Sequence, residues 1–489
     1  MKIRIIENKD LIEIPEEVQL LADIAESNGI KLYVVGGPVR DSLMGITPKD
    51  WDMSTPALPD DIIRVYEESG LHVVPVGLKH GTVGVVVNGE VYEITTFRVD
   101  KNVGDKHNEV EHEFINDLEK DLERRDLTIN SICFDISNNE IIDPFGGQDD
   151  LRNGLIKTVG DPDDKFIGAE YGDPLRILRV FRFASRYGFT IDDKILKSIK
   201  KNKNSIKTVS VERIRDEMTK ILMTNKPSNI LRLMKETELL EVILPEIKES
   251  YDFPQNNPNH IFDVFEHTIR TLDNAKPVSD IRWALLLHDL GKSQTRGDRP
   301  AGGDSFIDHA EKSYEIAIDV LNRLKFTNKS KSMILSLVKH HDLFAYLNPK
   351  KTVKFKRKMQ ELIPSKKDYW NEWEKVGDIE REKKMSIFNR LDNINYADTS
   401  AQNPELFNMK KKRRDSIMKK YNDIVDSGDP IYISDLAING KDIMDILNIP
   451  GGKKIKEIQE KLLELVIAHP EFNTKEKLTL RLKKWFNID

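Results

Sequence analysis

The 489-residue sequence contains one cysteine. A single thiol excludes an intramolecular disulfide, and Cys133, inside the apolar run SICFDI, reads as a buried strand residue. A reducing cytoplasm is the expected location. No run of about 18 apolar residues is present, so no transmembrane helix and no membrane partner are expected. The opening MKIRIIENKD lacks the apolar core of a secretory signal. No transit sequence, internal repeat or low-complexity linker stands out. Nor is there an excess of basic charge: 76 Lys and Arg against 82 Asp and Glu leave a net charge of −6. Any contact with nucleic acid must come from local basic patches rather than from the global field. What remains, 39% hydrophobic and 32% charged residues, is the balance of a globular chain. On a prior of roughly 150 residues per domain, the length implies several domains.

The chain is organised around residues 34–55, VVGGPVRDSLMGITPKDWDMST. An apolar strand, Leu32 to Val35, runs into Gly36 and Gly37. Glycines at such a point let a phosphate approach backbone N–H groups. With Trp51 in a strand, Asp50 and Asp52 would share one face. Two adjacent carboxylates repel unless a cation sits between them. Mg²⁺ favours one or two carboxylates plus substrate phosphates, so the stretch reads as a nucleoside-triphosphate site. Either feature alone has a plain reading: Gly-Gly after a strand is commonly a turn, and Asp-x-Asp a solvated edge. Together, in a strand–turn–strand context, they are far more specific. The ordered set GGxVRDxLxGxxPxDxD resembles the signature of class II tRNA nucleotidyltransferases, the CCA-adding enzymes and bacterial poly(A) polymerases.

In chain order, PEEVQLLADIAESN (15–28) carries helical spacing, stopped by Gly29. VVVNGEVYEITTF predicts a hairpin turning at Asn88-Gly89. Its second arm would turn Tyr92, Ile94 and Thr96 one way and Glu93 the other, as a third acid beside Asp50 and Asp52 or as a solvated residue. Residues 101–113 are polar without period and read as a mobile loop. Arg124, Arg125 and Asp126 then cluster before Asn130. Guanidiniums clamp phosphates, and Asp or Asn can bond a ribose hydroxyl. The family's RRDxTxN motif matches here through Arg124, Arg125, Asp126, Thr128 and Asn130.

The chain then turns helical. Asp173 suits an N-cap, Pro174 a first turn and Gly188 the stop. Between them Ile177, Val180, Phe181 and Ala184 share one face, and Arg176, Arg179, Arg182 and Arg186 another, more arginine than solubility requires. Asp173 and Arg176, three apart, can act together. A carboxylate accepts from an amino group and a guanidinium donates to ring nitrogens, so the pair could read a base edge without a template. This resembles the family's EDxxR motif, with Gly172 where the family usually has Glu. Residues 211–222 resemble the family's next helix.

A second constellation starts at His267 in FEHTIRTL. His288-Asp289 ends an apolar helix, and His309, His340-His341-Asp342 and Asp398 follow. Imidazole and carboxylate ligands suit a divalent metal. The order H…HD…D resembles the HD phosphohydrolase superfamily, which implies His267, His288, Asp289 and Asp398 as ligands, with Asp392 competing for the last place. His309, His340 and His341 are expected as second-metal or phosphate contacts. The basic runs 350–358 and 410–414 are candidate RNA contacts or solvated faces. Residues 439–489 resemble the tail of HD-containing CCA-adding enzymes.

The resemblance implies an α+β architecture. A small mixed-sheet nucleotidyltransferase head of the DNA polymerase beta-like kind (1–160) precedes a helical neck that reads the base and binds RNA (161–240). An HD domain (241–400) and a helical tRNA-contacting tail (401–489) follow. The implied activity is template-independent addition of C, C and A to tRNA 3′ ends from CTP and ATP. Asp50 and Asp52 would hold Mg²⁺. Gly36, Gly37 and Arg40 would hold the triphosphate, Arg125, Asp126 and Asn130 the ribose, and Asp173 and Arg176 would choose the base, with Arg179 also nucleotide-binding. A second divalent metal would occupy the HD site. One alternative is a poly(A) polymerase of the same family, disfavoured because no RRFxLxHV-type signature is found. Another is an HD phosphohydrolase whose head merely binds RNA, disfavoured by the intact Asp-x-Asp.

Overall fold

The computed structural model describes residues 12–102, 110–168, 172–300, 302–362 and 386–488. The chain forms two compact units, Met1–Pro245 and Glu246–Asp489.

The first unit is built on a seven-stranded mixed sheet. Its strands are β1 (Tyr33–Val35), β2 (Met53–Thr55), β3 (His72–Gly77), β4 (Thr82–Val87) and β5 (Glu90–Thr96), with β8 (Cys133–Asp135) and β9 (Glu140–Ile142). The order is β3-β4-β5-β2-β1-β8-β9. Within this sheet, among the described residues, only β2 and β5 run parallel, with Met53 opposite Ile94. That register sets Asp52, one residue before β2, level with Glu93 in β5. β1 is buried along its whole length between β2 and β8, which is why its sequence is apolar without alternation. The β4–β5 hairpin turns at Asn88 (φ 52°) and Gly89 (φ 85°), the left-handed pair a two-residue turn needs. In β5 Tyr92, Ile94 and Thr96 are buried and Glu93 is exposed. Cys133 lies fully buried in an apolar cluster with Tyr33, Val35, Phe97 and Leu122.

Three local expectations change. The run after β1 is not a turn: Gly37–Leu43 forms a helix capped by Gly36. Asp50, Trp51 and Asp52 lie just before β2 rather than within a strand. Residues expected as a loop instead pair as β6 (Arg98–Asn102) and β7 (Val110–Phe114). Backbone pairing satisfies polar residues as well as apolar ones, so hydropathy alone misses it. Residues 103–109 lie outside the described residues.

The arginine-bearing helix spans Leu175–Tyr187, with Pro174 at the cap and Gly188 (φ 69°) as the stop. Asp173 stands one position further out than expected, yet its Oδ1 still accepts the Leu175 N–H at 3.0 Å. Ile177, Val180, Phe181 and Ala184 are all buried. Opposite packs the helix Val211–Leu222.

The second unit is largely helical. In Ser279–Leu287 every residue from Ile281 on is buried, including Trp283. Val264–Asn274 and Ile387–Ser400 pack against it. The end of the chain makes its own apolar cluster, with Leu462, Val466, Leu478 and Leu482 at its centre. Among the described residues no helix is long and apolar enough to cross a membrane.

Candidate functional site

In the first unit a cavity of about 470 Å³ is lined by Gly36, Gly37, Arg40, Asp52, Arg125, Asp126, Asn130, Asp173, Arg176 and Arg179. These are all the head and neck residues expected at the site except Asp50. Gly36 has φ 72°, and a Cβ there would sit 3.1 Å from Arg125 Nη1 and 3.2 Å from the Asn130 carbonyl. Only glycine fits that corner without strain. Arg40 is buried. Its Nε donates to Asp41 Oδ1 at 2.9 Å, its Nη1 donates to Asn130 Oδ1, and its guanidinium lies over Phe183 and Tyr187.

The RRD motif hangs on a residue that the sequence did not single out. Asp121, fully buried, accepts from Arg124 Nε at 2.9 Å and Arg125 Nη2 at 3.3 Å. Burial pushes its carboxyl up, but the two guanidiniums outweigh burial and hold it below the usual range. Asp126 accepts from Asn130 Nδ2 at 3.0 Å and Arg179 Nε at 2.6 Å. Arg176 Nη2 donates to the Arg124 carbonyl at 2.7 Å. Asp173 Oδ2 accepts from Arg213 Nη2 at 2.9 Å, and Arg182 Nε donates to Glu217 at 2.6 Å. Asp173 and Arg176 are thus each steadied by a different neighbour.

Asp52 lines the cavity, Asp50 stands outside its lining, and both are solvent-exposed. Although its surface is open to solvent, the protein crowded around the Asp52 carboxyl partly desolvates it and pushes it up against the opposing pull of Arg125, and Asp50 adds to the rise. Glu93 is pushed up by burial, then by Asp52 and Asp50. Asp50 thus acts on both Asp52 and Glu93, and carboxylates gathered this closely fit a divalent cation between them.

In the second unit the ligand atoms of His267, His288 and Asp398 all lie within 4.8 Å of one another, as do those of Asp289, His309 and His341. Asp289 spans both groups. Its Oδ2 is 3.6 Å from His267 Nε2 and 3.2 Å from His288 Nε2, and its Oδ1 is 3.5 Å from His309 Nε2. Asp398 Oδ1 is 2.9 Å from His267 Nε2. In all four rings Nδ1 meets a backbone carbonyl: Ala401 for His267 (3.2 Å), Leu285 for His288 (2.6 Å), Phe306 for His309 (2.7 Å) and Val338 for His341 (2.7 Å). A carbonyl can only accept, so Nδ1 carries a proton and, in the neutral ring that ligates a metal, the Nε2 lone pair faces the carboxylates. Lone pairs turned on carboxylates repel without a cation, so the donor set fits metal. Burial and His341 push His309 down, toward the neutral form that ligates.

Asp392 is elsewhere, paired with Arg414 at 2.6 Å. His340 also stays out of the cluster, its Nδ1 on the Ser336 carbonyl at 2.9 Å. A cavity of about 510 Å³ opens on the cluster, and Lys292, Lys410, Arg413 and Arg414 line it. Three members of the 410–414 basic run therefore border this cavity.

Residues 32–157 match the family described as Poly A polymerase head domain. Residues 188–251 match the probable RNA and SrmB-binding site of polymerase A, and residues 264–389 the HD domain. Over 454 residues the chain is 30% identical to the CCA-adding enzyme of Geobacillus sp. (strain WCH70), covering 93% of each. The chain belongs to the CCA-adding enzyme family. The CCA-adding enzyme of Ligilactobacillus salivarius is 34% identical over 270 residues, 53% of this chain and 64% of its own length. The matched part thus spans less than two thirds of that relative. The crystal structure of Bacillus stearothermophilus CCA-adding enzyme in complex with CTP superposes with a TM-score of 0.68 at 26% identity, over 96% of this chain and 97% of that one. Family membership and the HD match together imply a requirement for divalent metal.

Proposed function

We propose that this member of the CCA-adding family adds C, C and A, without a template, to the 3′ end of tRNA from CTP and ATP, releasing pyrophosphate. The observation that carries this reading is a single cavity joining Asp52, a set of arginines and the Asp173–Arg176 pair. Asp50 and Asp52, with Glu93 beside them, would hold Mg²⁺. Bound there, Mg²⁺ supplies charge to the triphosphate and acidity to the attacking hydroxyl.

The remaining work belongs to side chains. Gly36 and Gly37 leave the backbone open to phosphate oxygens. Arg125, anchored by Asp121, offers its guanidinium without having to be ordered first. Arg40 adds charge at the wall and fixes Asn130, which with Asp126 takes the ribose hydroxyls. Arg179 holds Asp126 ionised and therefore accepting. Cytosine and adenine both present an exocyclic amino group beside an unprotonated ring nitrogen. Asp173 accepts from the first and Arg176 donates to the second. Uracil and guanine present a carbonyl and an N–H there, and are refused.

Replacing Asp52 tests this reading. Asp52→Ala should abolish transfer, measured as labelled nucleotide added to tRNA, while the thermal melt stays near wild type because Asp52 is exposed. Retained transfer would reject the assignment.

The inward-facing Nε2 atoms of the HD cluster favour a second activity alongside transfer. His267, His288 and Asp398 would hold one divalent cation, and His309 and His341 a second, with Asp289 shared. Such cations would supply Lewis acidity to a phosphoester. Lys292, bonded to Asp289 at 2.7 Å and Gln255 at 2.9 Å, and the basic wall would draw in the phosphate. We assign this site to hydrolysis of a phosphomonoester or 2′,3′-cyclic phosphate.

A further inference from the structure

We infer that Tyr346 is the base-stacking wall of the HD cavity, so that this site prefers nucleoside phosphates, free or at an RNA 3′ end, to phosphoesters that carry no base. The inference rests on the hydrolytic reading of the HD cluster.

Tyr346 lines the HD cavity and is 81% exposed. A single exposed aromatic is ordinary on a protein surface. Its setting separates this one. Tyr346 closes the short helix Leu343–Tyr346, whose cap is Asp342. Asp342 Oδ2 lies 3.3 Å from His309 Nε2, and its Oδ1 lies 3.6 Å from His341 Nε2. One helical turn, about 5.4 Å of rise, therefore leads from the second histidine pair to the tyrosine. A phosphate and the base joined to it through a ribose lie a similar distance apart.

The turn that carries the ring is clamped. Arg413, on the helix Pro404–Asp426, donates Nε to the Phe344 carbonyl at 3.2 Å. Its Nη2 donates to the carbonyls of Ala345 at 2.6 Å and Leu347 at 3.2 Å. Carbonyls at a helix end have no partner within the helix, and here one guanidinium takes three of them. The backbone under Tyr346 is thus ordered before any ligand arrives, which lowers the entropy lost on binding.

Phe306, Phe344 and Met409 also line the cavity, Met409 being 61% exposed. A phosphate and its metal ions have no use for apolar surface. A nucleobase has, because every base offers a π-face to an aromatic side chain. The volume, about 510 Å³, is that of a site for a whole organic ligand rather than for a phosphate alone. With the phosphate at the cluster and the base on Tyr346, the ribose bridges the two. In the hydrolysis water adds to phosphorus, one P–O bond to the ribose breaks, and the freed ribose oxygen takes the proton that the water gives up. A purine has the larger face, so adenosine should be preferred to uridine.

The test uses the full-length protein with Mn²⁺. kcat and KM are measured for adenosine 2′-phosphate and glycerol 2-phosphate in wild type, Tyr346→Ala, Tyr346→Leu and Tyr346→Phe. Tyr346→Ala and Tyr346→Leu should cut the kcat/KM ratio of the nucleotide to glycerol 2-phosphate by about tenfold, chiefly through KM for the nucleotide, at an unchanged melting temperature. Tyr346→Phe, which keeps the ring, should restore the ratio. The same series on adenosine 2′,3′-cyclic phosphate and on an RNA oligomer ending in that group separates free nucleotide from RNA end, and a Tyr346 dependence in either supports the inference. A wild-type ratio in both Tyr346→Ala and Tyr346→Leu would overturn the inference alone. No hydrolysis of any substrate by wild type would instead reject the hydrolytic reading. Stacking is then decided without turnover, by quenching of an RNA oligomer ending in 2-aminopurine 3′-phosphate. Quenching lost in Tyr346→Ala and kept in Tyr346→Phe supports the inference; quenching kept in Tyr346→Ala overturns it.

Discussion

Arg179 Nε donates to Asp126 Oδ2 at 2.6 Å, across 53 residues of sequence. This bond ties the RRD motif of the head to the arginine helix that follows it. Burial alone would push the Asp126 carboxyl up. Arg179, by charge and hydrogen bond, with Arg176 and Asn130, reverses that and holds it well below the usual carboxylate range.

The bond makes stability depend on pH in a predictable direction. A carboxylate depressed in the folded state contributes fully above its unfolded pKa of about 3.9, and loses that contribution as pH falls toward the folded value. Asp126→Asn should cost about 2 kcal/mol at neutral pH. That is less than for a fully buried pair, because Arg179 is 35% exposed. In urea unfolding, the gap between wild type and variant should be constant from pH 7 to pH 5 and should narrow below about pH 4. A gap that persists unchanged in acid would contradict the role given to this pair.

Gly172 governs the approach to Asp173. A Cβ at this position would fall inside van der Waals contact with the Gly168 carbonyl and amide. Flexible side chains can move aside, but backbone cannot without moving Asp173. Gly172→Glu restores the residue usual in the EDxxR motif, yet here it should lower kcat/KM for both CTP and ATP by about tenfold and cost about 1–3 kcal/mol of stability. Steady-state kinetics and a denaturant melt check both. A variant with sharper nucleotide choice and no loss of stability would show that the turn yields.

The two candidate sites use separate residues, so their activities should separate. His288→Ala removes an inward Nε2 from the HD cluster. It should abolish metal-dependent hydrolysis of a 2′,3′-cyclic nucleotide while leaving addition to tRNA within about twofold of wild type. Loss of both activities in a protein with an unchanged melt would refute the separation.

What could be read from the sequence followed the range of the interactions. The β4–β5 hairpin was legible because Asn88-Gly89 fixes its turn locally. The buried face of Leu175–Tyr187 was legible from its period. The glycines, the RRD motif and the H…HD…D order carried the two sites as patterns. The helix Gly37–Leu43 was missed because it is short and opens with a glycine, a poor helix former. Asp121, Arg213 and Glu217 were missed because a lone charge looks solvated until its partner is found. For Arg213 that partner lies 40 residues away and for Glu217 it lies 35 away. Likewise the KKKRR run gave no sign that Lys410, Arg413 and Arg414 would border the HD cavity. The division of Asp289 between two histidine pairs depends on the helices that carry His267 and His309 meeting the turns that hold His288-Asp289 and His341, and no spacing encodes it.

The most direct test of the central claim is primer extension on a tRNA transcript lacking its 3′ CCA, with Mg²⁺ and CTP alone, ATP alone, or both. The account predicts two added C residues with CTP alone, and a final A only when both nucleotides are present. A long A tail from ATP alone, a stop after two C residues with both present, or no extension at all would contradict it.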